Sequence, residues 1–388
     1  MGEEMLFNRD RAFLLMAEAG IDVLLLTQPN NFLYLSGFTQ VNSFSFIDRP
    51  SIGLFFADPS SAPVAIIPHW NYPAFVRASW ITKVVAYAEH ATDHGTDKSG
   101  GWRQAMKGAL RACPDARRIG VEEKFLAKWI LDVLVDAFPD RAFVDCTELI
   151  RRIRAVKTPV EIERMRSATR ILENACEDML ANARAGITET ELATAFRASV
   201  GQQGGEGIKN FVLGIGPESV VTHKVPGACE LRDGYVLRFD LGVQVLGYYA
   251  DNARSYVWGT PNQVQSRIYA AVLEGQQRGA ALLRSGVTAG EIYDATLAAV
   301  REEIPGIKME HVGHGMGVEH HESPALIYGS RQELEPNMVI NVETLYNDPE
   351  HGAFTVEDTY LITENGSERW TELPRELSLI SGADRSRL

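Results

Sequence analysis

The spacing of apolar and polar positions divides the chain into two stretches of different rhythm. In the first, residues 8–19 (NRDRAFLLMAEA) have the period of a short amphipathic helix that Gly20 closes. IDVLLLT is an unbroken apolar run and reads as a buried strand, with QPNN as a turn into FLYLSGF. SIGLFFA, APVAIIP and ITKVVAY read as further strands, and RRIGVE as another between helices predicted over 100–112 and 123–137. Strands alternating with helices predict an α/β domain with a largely parallel or mixed sheet. This unit ends near FVDCTELIRRIRAVKTPVE, so domains are expected over 1–155 and 156–388.

From Pro159 the period becomes helical, with Ile162, Met165, Ala168, Ile171 and Ala175 on one face of a long helix ended by Gly186. TETELATAFRASVGQQGG predicts a second helix capped at Thr188 or Thr190. Two more helices are predicted over 262–285 and 288–304, around the turn Ser285-Gly286-Val287-Thr288. Strand–helix–helix–strand blocks on either side of residue 258 suggest two related halves.

Between the helix pairs lies VLRFDLGVQVLGYYADNARSY (236–256), which alternates like two strands joined at Leu246-Gly247. If Val245 faces Tyr248, Gly242 falls opposite Asp251, and Asp240 shares that face. The two aspartates are then diagonal neighbours about 7–8 Å apart at their bases and converging at their tips. Carboxylates aimed at one spot repel unless a proton or a cation lies between them. The hairpin therefore reads as half of a metal site.

Candidates for the other half lie downstream. HVGHGMGVEHHESP sets His314 between glycines, which let the backbone approach closely, and His321, Glu322 and Pro324 follow. MVINVETLYNDPEHGAFTVEDTYLIT reads as a strand pair with Glu343 and Glu357 inside β-branched runs, where an acid is costly unless paired or metal-bound. Alone, a strand Asp is commonly a salt-bridge partner and a His beside Gly a turn residue. Together they form four carboxylates and an imidazole without a thiolate. Such a set fits Mn²⁺, Zn²⁺, Co²⁺ or Fe²⁺ in a paired site and does not fit a structural zinc.

Composition narrows the partners. A formal net charge of −13 argues against nucleic acid. No run approaches the apolar length of a membrane span, and the charged start offers no signal-peptide core, so a cytoplasmic protein is expected. The four cysteines form no CxxC pair and read as thiols of a reducing compartment. His69, His90 and His94 are scattered, and each reads as a surface or capping residue. The segment QVNSFSFIDRP (40–50) reads either as a loop stapled by Pro50 or as a lid over an active site.

On these residues the chain resembles the creatinase/prolidase/methionine aminopeptidase family. GIDVLLLTQPNNFLYLSGF is similar to the creatinase-type N-terminal α/β domain, and KTPVEIERMRSATRI to the helix that opens the pita-bread catalytic domain. The separations of Asp240 from Asp251 and of His314 from His321 also match. The resemblance implies a mixed α/β (α+β) fold and two divalent metal ions, manganese among the choices. It implies Asp240, Asp251, His314, Glu343 and Glu357 as ligands, with Asp251 and Glu357 bridging. It further implies proton-handling roles for His223 and His321, with Glu343 accepting the proton of the attacking water. A homodimer with shared sites is implied too, which would bring Asp48 and Arg49 to a neighbouring pocket.

The activity implied is hydrolysis of an amide bond in a short peptide, as in Xaa-Pro dipeptidases and aminopeptidases. Two departures leave the substrate open. Asn252-Ala253-Arg254-Ser255 stands where the family's peptidases usually have a Thr-Arg-Thr-like run, and Thr344 stands where they usually have Pro. Both are expected to alter the pocket walls, with Arg254 a candidate substrate contact. The alternatives are a hydrolase or lyase of a small-molecule metabolite (ectoine-hydrolase-like or sulfonium-lyase-like) and a non-catalytic binding module.

Overall fold

The computed structural model describes residues 5–39, 50–88 and 101–379. Its chain divides into Met1–Arg154 and Ala155–Leu388. The first unit carries helices α1 (Arg9–Ala19), α2 (Pro29–Ser36), α3 (Tyr72–Ala78), α4 (Gly101–Arg111), α5 (Lys128–Ala137) and α6 (Thr147–Ala155). Its strands are β1 (Val23–Leu26), β2 (Ile52–Phe56), β3 (Val64–Pro68), β4 (Lys83–Tyr87), β5 (Arg118–Val121) and β6 (Ala142–Asp145). They form one mixed sheet in the order β4-β3-β2-β1-β5-β6, with β1 antiparallel to β2 and parallel to β5. Met106 and Leu110 of α4 and Ile130 and Leu134 of α5 pack on Val23, Leu25, Ile119 and Val121.

Where a turn was expected at QPNN, α2 begins. Pro29 occupies the first helical turn, the Gln28 side chain accepts from Asn31 N at 2.8 Å, and Gly37 closes the helix at φ 75°. Helix α5 starts later than expected, at Lys128, after turns in which the Glu122 carbonyl accepts from Phe125 N and Leu126 N; the buried Glu122 carboxylate accepts from the amides of Thr27 and Gln28.

The second unit opens with α7 (Pro159–Ala181) and α8 (Glu189–Gln202), then β7 (Gly207–Ile215), β8 (Val236–Val245) and β9 (Tyr248–Trp258). A second helix–helix–strand block follows: α9 (Gln263–Ala280), α10 (Ala289–Glu303), β10 (Gly313–Gly315), β11 (Glu322–Ala325), β12 (Val339–Asp348) and β13 (Gly352–Ile362). The short β14 (Ser367–Arg369) and β15 (Ser378–Leu379) pair with β13 and β9. The two blocks share local devices. Thr188 with Glu191, and Thr288 with Glu291, form capping boxes after the left-handed glycines Gly186 and Gly286.

The strands join one sheet in the order β11-β10-β12-β13-β9-β8-β7. Leu237, Phe239, Leu241 and Val243 of β8 pack against Leu172, Cys176 and Met179 of α7 and Phe196 of α8. Ile340 and Val342 of β12 pack in the same way with Leu297 and Val300 of α10. Because side chains alternate, the intervening Asp240 and Glu343 point to the sheet's opposite face.

The same parity corrects the expectation for Arg254. It lies three residues from Asp251, so it points toward the helices, as Ala250 and Tyr256 do. Its side chain is 0% exposed. Its Nη2 donates to Asp358 Oδ1 at 2.5 Å, and its Nη1 donates to the Glu357 carbonyl at 2.5 Å. Asp358 also accepts from Gln276 Nε2 at 3.0 Å and from Arg375. Arg254 is thus a clamp between β9 and β13 and not a substrate contact. Removing Arg254 leaves buried Asp358 with only Arg375 and Gln276 and unties β9 from β13, so Arg254→Met should lower the unfolding free energy by about 3 kcal/mol. Urea denaturation measures this, and a wild-type midpoint would refute the clamp.

Candidate metal centre

Five strands of the second unit supply the site: β8, β9, β10, β12 and β13. The β8–β9 turn has Leu246 at φ 49° and Gly247 at φ 82°, the pair of positive values a two-residue type I′ hairpin needs. It sets Val245 opposite Tyr248 and Gly242 opposite Asp251, as expected. In the other hairpin Glu343 lies directly opposite Glu357. The hairpins meet where β9 pairs with β13 at Arg254 and Val356.

His314 is the middle residue of β10. A Cβ at Gly313 would stand 2.0 Å from the Asn341 carbonyl oxygen, and one at Gly315 would stand 2.4 Å from that of Ser323. Only glycines permit this approach on both sides of the histidine.

The ligand atoms of these residues fall into three overlapping groups, each within 4.8 Å: Asp251 with His314 and His321, His314 with Glu343 and Glu357, and Asp240 with Asp251 and Glu357. His314 Nε2 is 4.0 Å from Asp251 Oδ2 and 3.8 Å from both Glu343 Oε1 and Glu357 Oε1. Its Nδ1 lies 3.0 Å from the Gly315 carbonyl oxygen. That contact favours the Nδ1–H tautomer and aims the Nε2 lone pair at the carboxylates.

The electrostatics are those of crowded anions. Burial, then the charge of Asp251, pushes the Asp240 carboxyl up to about 8. Burial and the same neighbour push Glu357 well above the ordinary carboxylate range. Burial also acts on Glu343, but His311, 3.2 Å away, and His314 hold it below its usual value. Among the described residues, buried Asp251 Oδ1 has no hydrogen-bond partner. An unpartnered carboxylate oxygen among further carboxylates and an imidazole fits divalent cations.

The structure thus brings together Asp240, Asp251, His314, Glu343, Glu357 and His321. The His321 ring stacks on His314 with centroids 3.8 Å apart and planes at 21°. Burial and the two neighbouring imidazoles hold its pKa down at about 4, so it is neutral at physiological pH. His223 lies in an exposed turn outside these groups. Asp48 and Arg49 lie outside the described residues.

Several participants escaped the sequence reading. His320 Nε2 contacts Asp251 Oδ2; burial opposes its charge, but Asp251, Asp240 and Glu343 together raise the imidazole's pKa. Asn341 Nδ2 donates to Glu357 Oε1 at 2.7 Å, and Asn210 Nδ2 donates to Asp240 Oδ1. The buried Arg238 guanidinium lies 3.7 Å from Asp240 Oδ2. Arg238 and Asn341 each stand two residues before an acid on the same strand, so period two signals both. His311 and His320 were signalled only by the density of histidines in 311–321.

Thr344 and Asn252, two of the departures expected in the pocket walls, lie elsewhere. Thr344 Oγ1 donates to the Val272 carbonyl of α9 at 2.7 Å, and Asn252 Oδ1 accepts from Arg254. Asn252 and Thr344 have the parity of the helix-facing side, whereas Ala253, opposite Asp240, has the parity of Asp251.

Residues 163–364 match the model of metallopeptidase family M24, and residues 9–156 that of the creatinase/prolidase N-terminal domain. An uncharacterized peptidase of Bacillus subtilis (strain 168) is 28% identical over 368 residues, 94% of this chain and 98% of its own. An Xaa-Pro dipeptidase of Lactobacillus delbrueckii subsp. lactis is 25% identical over 96% of this chain and 99% of its own. Among solved structures, the prolidase from Pyrococcus horikoshii OT3 has a TM-score of 0.79 at 25% identity, covering 95% of this chain and 99% of that one. The Xaa-Pro dipeptidase from Bacillus anthracis has a TM-score of 0.81 at 26% identity, covering 96% and 98%. These matches bear out the resemblance read from the motifs: the chain belongs to metallopeptidase family M24, and is a pita-bread hydrolase with a creatinase/prolidase N-terminal domain.

Proposed function

We propose that the protein is a dinuclear metal-dependent peptidase that cleaves the bond before proline in short peptides, as an Xaa-Pro dipeptidase or aminopeptidase. The observation that carries this is the sharing of ligands: Asp251, Glu357 and His314 each belong to two of the three overlapping groups, and of these only the carboxylates have two oxygens with which to bridge. Shared carboxylates are what a pair of ions about 3.5–4 Å apart requires. Asp240, Asp251, His314, Glu343 and Glu357 would hold two divalent ions of the Mn, Zn, Co or Fe kind. When bound, such ions supply an activated water and polarise the amide carbonyl.

The protein's own groups complete the chemistry. Glu343, half-sheltered and held ionised by His311, accepts the proton of the attacking water. His321 is a neutral N–H donor beside His314 and stabilises the developing oxyanion. His223, on its exposed turn, assists the leaving nitrogen. The relatives named Xaa-Pro dipeptidase support the substrate class. Of the departures that left the substrate open, Asn252 and Thr344 face away from the carboxylates, while Ala253 lies opposite Asp240. A cytoplasmic homodimer completes this reading, on composition and resemblance. Among the described residues, no helix is long and apolar enough to cross a membrane.

Asp251→Ala should lower bound metal from about two ions per chain and abolish activity. Metal analysis of the purified variant checks this, and retention of both ions would refute the bridge. Metal-loaded protein should hydrolyse Xaa-Pro dipeptides in preference to small osmolytes such as cyclic amidines, and a chelator should stop the reaction. Failure to turn over any Xaa-Pro substrate when fully metallated would overturn the peptidase assignment.

A further inference from the structure

The motif KTPVE (157–161) opens the second unit, and its two charged residues are buried. Lys157 Nζ lies 3.3 Å from Glu322 Oε2, with the two side chains 1% and 4% exposed. The same ammonium donates to the Ala155 carbonyl at 3.2 Å, and Lys157 N donates to Asn337 O at 3.0 Å. The lysine is therefore fixed by its own backbone as well as by its partner.

Glu322 begins β11, directly after His320 and His321. Its Oε1 accepts from Glu319 N at 3.0 Å. A Cβ at Gly317 would stand 2.6 Å from Oε1, so the loop backbone lies directly on the carboxylate. The loop's other flank is held by β9, where Tyr249 N donates to Gly317 O at 2.9 Å. The preceding residue, Tyr248, donates through its hydroxyl to Glu161 Oε1 at 3.1 Å. One short motif thus reaches both supports of the segment that sets His320 against Asp251 and stacks His321 on His314.

We propose that the buried Lys157–Glu322 ion pair is the positioning element for loop 316–322, holding His320 and His321 in register with the metal-centre carboxylates. A buried ion pair adds little net stability over a well-packed apolar pair, because desolvation opposes its attraction. What it adds is direction, since its partners must be met at hydrogen-bonding distance and angle. Lys157 and Glu322 act through the loop and do not touch the reacting atoms.

The test uses the metal-loaded enzyme with two variants, Lys157→Met and the double variant Lys157→Met/Glu322→Gln. Lys157→Met should lower kcat by about 100-fold, the scale of a small misplacement of catalytic groups, with little change in KM or metal content. Diethylpyrocarbonate labelling of His320, mapped by peptide mass spectrometry, should rise several-fold while labelling of exposed His223 stays constant. The double variant removes both charges at nearly constant volume, so it should recover the melting temperature yet keep the low kcat and the labelled His320. Recovery of kcat together with stability in the double variant would reduce the pair to packing and overturn the proposal. So would wild-type kcat and His320 labelling in a folded Lys157→Met protein. If Lys157→Met fails to fold, the double variant decides. The kinetic readout rests on the peptidase reading, whereas the labelling does not, so failure of one is distinguishable from failure of the other.

Discussion

Four carboxylates in one low-dielectric pocket are the constraint on which the second unit depends. Two like charges 4 Å apart cost about 4 kcal/mol at an effective dielectric of 20, and burial removes the water that would screen them. A loop could relieve such repulsion by moving apart. Asp240, Asp251, Glu343 and Glu357 cannot, because each sits within a strand of a hairpin whose register is held by its backbone ladder. The repulsion is met instead by groups brought from neighbouring elements: Asn210 donates to Asp240 and Asn341 to Glu357, and the His311 and His320 imidazoles lie against Glu343 and Asp251. Asp251 Oδ1 is left for a cation.

The pleat lets one sheet carry two buried charge systems that do not interfere. Glu357 and Asp358 are consecutive yet face opposite ways, the first into the carboxylate cluster and the second into the Arg254, Gln276 and Arg375 network. The helix-facing network ties β9 to β13, which are also the strands carrying Asp251 and Glu357. A stable salt bridge on one face thereby fixes the spacing of unstable like charges on the other.

The histidines divide by environment and not by sequence position. His320 and His311 each meet a carboxylate and are drawn toward the charged form, whereas His321 meets two imidazoles and is driven to the neutral form. Neighbouring residues in one run are thus shifted in opposite directions within the same cluster.

By itself the sequence determined what local rules govern. A two-residue link containing glycine dictates the β8–β9 register, and period two then places Asp240 and Asp251 on one face. The glycines around His314 announced a close backbone approach, and the acids within β-branched runs announced a buried site. What the tertiary structure decided depends on contacts between segments distant along the chain. Helix α2 forms where a turn was expected, its amino end held by Glu122, a residue some ninety positions away. His311, His320 and Asn210 join the centre only because other strands bring carboxylates to them. Arg254 was legible in principle, since parity alone sends it to the helix face. Its purpose was not, because Asp358 and Glu357 meet it only through the pairing of β9 with β13, and no local rule specifies that union.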